Sequence, residues 1–194
     1  MFTQHEAPET ALEREPGATV ICEHCYTVNG VGKGKFIRLP EWEGMPTARA
    51  VHEWTGHPLS NKCDSTIIFR SYGLPEGYAL EPGNVESWAC AYDQVGHALW
   101  PAFCRWAEDG VVVEDANNVP DVATFKDQFC GWWQDFEEYA LRFSEDTGLM
   151  DGVDADSQLR IYFDWSSWIE DLSYDYTVSA TRTCEGGVFV YRNF

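Results

Sequence analysis

Residues 124–149 read TFKDQFCGWWQDFEEYALRFSEDTGL. Upstream of Gly131, the apolar residues Val122, Phe125 and Phe129 recur at i, i+3 and i+7, which predicts a helix starting after Pro120 and ending at that glycine. Asp135 with Glu138 three residues later has the form of a capping box, with Asp in place of the usual Ser or Thr. Phe136, Tyr139, Ala140 and Phe143 then supply an apolar stripe, and Gly148 a stop. Glu137, Glu138, Glu145 and Asp146 fall off that stripe, so this helix is expected to bury an aromatic side and turn carboxylates to water.

Downstream, Asp164 is placed to cap a third helix carrying Trp165, Trp168, Ile169 and Leu172. Strands are expected over 177–181 and 188–192, joined as a hairpin by Glu185-Gly186-Gly187. Toward the N-terminus, ATVICE (18–23), KFIRL (35–39) and STIIFRSY (65–72) read as strands, with NGVGKG (29–34) as a glycine-rich hairpin turn and a short helix over 47–54. Helices are expected over 85–95, with Asn84 as N-cap, and over 97–107, stopping at Asp109-Gly110. The expected organisation is α+β: an acidic arm at 1–18, a β-rich domain at 19–75, a helical domain at 76–118 and an acidic α+β domain at 119–194.

The 194 residues hold 13 Lys plus Arg against 32 Asp plus Glu, a formal charge of −19 with pI near 4.4. That excludes an ordinary nucleic-acid binder, whose affinity comes from basic side chains neutralising phosphates. With 44% hydrophobic and 15% aromatic residues, the chain is not an acidic disordered tail and should fold. No run approaches the roughly 18 apolar residues of a membrane span, and residues 1–18 have the pattern of neither a signal nor a transit peptide. Seven cysteines, an odd number, suggest reduced thiols and a cytoplasmic setting. The charge is uneven: residues 108–175 hold 18 acids and three bases, a net −15.

Such carboxylates suit two roles. They can solubilise the surface, or they can reproduce the electrostatic signature of a duplex, where 15 net charges match the phosphates of roughly 7 to 8 base pairs. Like charges this concentrated oppose compaction, which calls for a compensating role. Cys22-x-x-Cys25 with His52 and His57 downstream has the make-up of a Cys2His2 zinc set, with His24 and Cys63 as spare ligands. Its spacing is twice that of a finger, and Cys22 and Cys25 on one strand would point to opposite faces, so the thiols are expected to be buried or idle and no cofactor is expected. The acidic pairs Glu108-Asp109, Glu114-Asp115 and Glu145-Asp146 occur in any acidic chain. Neither a nucleophile elbow nor a metalloprotease motif is present, and an enzyme is not expected.

Five segments together are similar to one family. They are residues 124–149, YFDWSSWIEDL (162–172), GVFVY (187–191), YTVNGVGKGKFIRLP (26–40) and IIFRSYGLP (67–75), in family order across nearly the whole chain. In these the chain resembles the ArdA antirestriction proteins, acidic DNA mimics of phages, plasmids and conjugative transposons. The resemblance implies an elongated, three-part α+β homodimer in the cytoplasm of a bacterial host. Its acidic face would occupy the DNA groove of a type I restriction-modification enzyme, with no direct nucleic-acid or membrane binding. On that basis the partner-binding surface is assigned to Glu108, Asp109, Glu114, Asp115, Asp121, Asp127, Asp135, Glu137, Glu138, Glu145 and Asp146, acting collectively. A zinc-stabilised acidic adaptor for another basic host protein is the alternative.

Overall fold

The computed structural model describes residues 15–30, 32–109, 114–154, 156–182 and 186–193. The expected acidic arm therefore lies outside the described residues up to position 14. Contacts divide the chain into two compact units, meeting in sequence at residues 122 and 123, and the fold is α+β.

The first unit is built on an antiparallel sheet of β1 (Gly17–Cys22), β2 (Gly34–Arg38) and β3 (Thr66–Tyr72), in the order β2-β1-β3. The central strand is the most apolar, and Ala18, Val20, Ile21 and Cys22 are all buried. Between β1 and β2 the chain does not simply turn. It forms α1 (Glu23–Asn29), whose C-cap Gly30 adopts a left-handed φ of 67° and donates to the Tyr26 carbonyl at 2.8 Å. The glycine run expected to be a hairpin turn thus begins as a helix stop. α2 (Ala48–Thr55) follows its predicted span, and the Thr47 hydroxyl accepts from the Ala50 amide at 3.2 Å.

α3 (Val85–Val95) and α4 (Trp100–Asp109) fold around an aromatic cluster. Trp88 and Trp100 meet edge to face with centroids 6.2 Å apart, and Trp100 stacks on Phe103 at 5.2 Å. Asn84 stands at the N-cap of α3 as expected but makes no side-chain cap bond; its side chain accepts from the Glu81 amide at 2.8 Å and donates to the Ala79 carbonyl at 3.1 Å, bracing the preceding turn. The expected stop at Gly110 lies outside the described residues.

The second unit contains α5 (Val122–Gln128), β4 (Phe129–Trp133), α6 (Phe136–Asp146), α7 (Gln158–Ile161), α8 (Trp165–Ser173), β5 (Tyr176–Ala180) and β6 (Val188–Arg192). Its sheet is antiparallel with β6 in the middle, in the order β4-β6-β5. The expected helix through Phe129 is cut short at Gln128, and Gly131 is no stop but the site of a register shift within β4. Burial alternates along Phe129–Trp133, the period of a strand, and Gly131 holds φ at 111°, a value few other residues tolerate. Trp133, Tyr139, Tyr176 and Val190 form one core cluster, with Phe136, Phe143 and Leu172 packed against them. β5 and β6 pair as predicted, although Glu185 of their turn lies outside the described residues. No helix among the described residues is long and apolar enough to cross a membrane.

Candidate functional site

On α6 the stripe divides the helix cleanly. Tyr139, Ala140 and Ser144 are buried, whereas Glu137, Glu138, Leu141, Arg142, Glu145 and Asp146 are exposed. Asp135 starts the helix by accepting from the Glu138 amide at 2.8 Å. The Glu138 carboxylate reaches back to the Gln134 amide, also at 2.8 Å, one residue earlier than in a standard capping box. Arg142 is shared between Glu145 at 3.1 Å and Asp146 at 3.3 Å, so one cation faces two carboxylates. Asp127 is exposed on α5.

Glu170 and Asp171 belong with these acids, although the sequence reading left them out of the surface. Both are exposed on α8, and Glu170 lines an open groove together with Glu137, Phe136, Trp165 and Ile169. Their signal was the polar interruption of WSSWIEDLS, visible as soon as Trp168, Ile169 and Leu172 are assigned inward.

In the first unit the predicted acids are more engaged. Arg105 contacts Glu108 at 3.3 Å and Asp109 at 2.8 Å. The Glu108 side chain is only 8% exposed and also accepts from the Glu76 amide, so it braces the fold and differs from the expected surface acid. Glu114 accepts from the Tyr78 hydroxyl at 2.6 Å, and burial followed by that carboxylate pushes Tyr78 up to about 12. Asp115 accepts from the amides of Asn117 and Val119, closing a loop, while its residue stays exposed. Asp121 is half-buried. The structure thus gathers Asp135, Glu137, Glu138, Glu145 and Asp146 on one helix and distributes the rest along the chain.

The second constellation is also in the first unit. Cys22, Cys25 and His52 are buried and converge with Cys63, all four ligand atoms lying within 4.8 Å of one another. His57 enters differently from the expected set, as its backbone carbonyl accepts from His52 Nδ1 at 3.0 Å. Burial pushes the Cys25 thiol up to about 12.

By fold and site this is an α+β protein that turns carboxylate-rich helix faces to its surroundings. A family model described as Antirestriction protein (ArdA) matches residues 81–187, more than half of the chain. The chain therefore belongs to the ArdA family, whose function is antirestriction. No protein of curated function matches it. All eleven predicted surface acids fall within the matched span, whereas Cys22, Cys25, His52 and Cys63 precede it.

Proposed function

We propose that this chain inhibits type I restriction-modification enzymes by mimicking duplex DNA and competitively occupying their DNA-binding groove, without catalysis of its own. The observation that carries the proposal is the outward side of α6. Five carboxylates from Asp135 to Asp146 spread over roughly 16 Å at the helical rise of about 1.5 Å per residue. That density is near the one charge per ~3.4 Å of a single duplex strand, with Arg142 offsetting one of the five.

On α6 one arginine faces two carboxylates, Glu145 and Asp146, so pairing there cannot neutralise both. Duplex DNA sheds its condensed cations when basic side chains of the enzyme neutralise its phosphates, and a dense, fixed array of carboxylates would draw on the same gain. Real duplex must also be bent to fit, whereas carboxylates held on a folded helix are already placed. As a homodimer the protein would present this surface twice, and the exposed apolar side chains Leu159, Ile161, Tyr162 and Tyr174 would suit burial between copies.

The test is plating efficiency of unmodified phage on a strain with a type I restriction system, with and without this chain. Restored plating is expected. Plating that stays restricted at full expression of the folded chain contradicts the proposal.

A further inference from the structure

We propose that Cys22, Cys25, His52 and Cys63 form a structural zinc site. The four residues come from four places in the first unit: the end of β1, the first turn of α1, the buried side of α2 and the segment before β3. Zinc with bonds of about 2.3 Å to sulfur and about 2.0–2.1 Å to nitrogen at tetrahedral angles sets sulfurs roughly 3.7–3.8 Å apart and sulfur from nitrogen roughly 3.5–3.6 Å. The Cys25 and Cys63 sulfurs are 3.7 Å apart, and Cys25 Sγ lies 3.6 Å from His52 Nε2.

The histidine is the decisive member. His52 is 4% exposed, and its Nδ1 lies 3.0 Å from the His57 carbonyl oxygen. A carbonyl only accepts, so Nδ1 carries the hydrogen, and Nε2 is the nitrogen turned to the sulfurs, 3.6 Å from Cys25 Sγ. A backbone carbonyl fixing a ligating histidine in this way is the usual outer support of a metal-binding imidazole.

The local fold explains how sequence neighbours on a strand come to share a centre. The helical turn that begins at Cys22 brings Cys25 round to the same side, which a continued strand would not. The Glu23 amide donates to the Ser65 carbonyl at 3.1 Å and the Thr66 hydroxyl to the Pro46 carbonyl at 2.7 Å, tying the segment around Cys63 to the entries of α1 and α2. Four protein ligands, three of them buried, leave no open position for substrate, so the role is to clamp β1, α1 and α2 together. Three thiolates and one imidazole favour Zn2+ over hard cations, and binding would release the thiol protons to solvent.

The experiment is metal analysis of the full chain, purified under reducing conditions without chelator, and does not depend on antirestriction activity. About one zinc per chain is expected. His52→Ala and Cys63→Ser should each reduce zinc content about tenfold or more, whereas His57→Ala should retain it because the bond to His52 comes from the backbone carbonyl of that residue. Should the ligand variants fail to fold, Co2+ titration of the unaltered apo chain should give thiolate-to-metal absorption saturating at one equivalent, and zinc should raise the melting temperature of that apo chain. A zinc-free wild-type chain without thiolate-to-Co2+ absorption, unchanged zinc in folded His52→Ala, iron in place of zinc, or a Cys25–Cys63 disulfide in the unreduced protein would each overturn the proposal.

Discussion

At position 135 one carboxylate both caps a helix and faces water, so its two contributions have to be separated by chemistry. Asn caps as well as Asp does, whereas Ala does not. Asp135→Ala is expected to lower the unfolding free energy by about 1 kcal/mol, and Asp135→Asn by a few tenths at most; urea denaturation of the two variants checks this. Equal losses would mean that charge rather than the 2.8 Å bond to the Glu138 amide holds the helix start. Asp164 offers a second residue-level check. The Ser167 amide at 3.0 Å and hydroxyl at 2.8 Å donate to it and hold its carboxyl below the ordinary 3.8. A carboxyl depressed in the folded state adds stability that is present above its unfolded pKa and lost as pH falls through the folded value. Carboxyl-carbon NMR titration of Asp164 should give a midpoint below 3.8; a midpoint at or above it would mean the cap does not persist in solution.

At the level of elements, the placement of acids goes against helix electrostatics. α4 ends in Glu108-Asp109, α6 in Glu145-Asp146, and α8 carries Glu170-Asp171 toward its end, with no base in the last turn of any of the three. Anions at a C-terminus oppose the helix dipole and cost about 0.3–1 kcal/mol each. Glu170→Gln with Asp171→Asn should therefore raise stability by about 0.3–1 kcal/mol per site while weakening inhibition. A fall in the melting temperature would show that these acids serve the fold. Reversing Glu137, Glu138, Glu145 and Asp146 to Lys should likewise weaken inhibition far more than reversing three acids within residues 1–60, as measured by inhibitor titration; equal effects would mean the wrong surface. Periodicity made α3, α6 and α8 legible in the sequence, because each turns one face at the helical repeat from water, buried in α3 and α6 and half-buried in α8. It hid α1, a seven-residue helix with only Cys25 buried, and it merged α5 with β4 because Phe125 and Phe129 stack at 5.3 Å across the junction. The zinc set was half legible for the same reason. Once 18–23 is read as a strand running into Cys25, the two cysteines diverge, and Cys63, close only through the tertiary fold, remains a spare.

For the molecule as a whole, charge is the quantity that matters: −19 in 194 residues, with −15 of it in residues 108–175. Such a distribution opposes the compact state, and under the proposed function a basic partner would supply the missing cations. Single substitutions should then have small effects, since the attraction is summed over many carboxylates, whereas ionic strength acts on all of them at once. The most direct measurement is the affinity of this chain for the methyltransferase core of a type I enzyme as salt rises from about 50 to about 200 mM, the range over which DNA itself loses orders of magnitude in binding. A steep linear fall of log affinity with log salt, parallel to that of the enzyme's own duplex, is predicted. A flat titration would contradict mimicry.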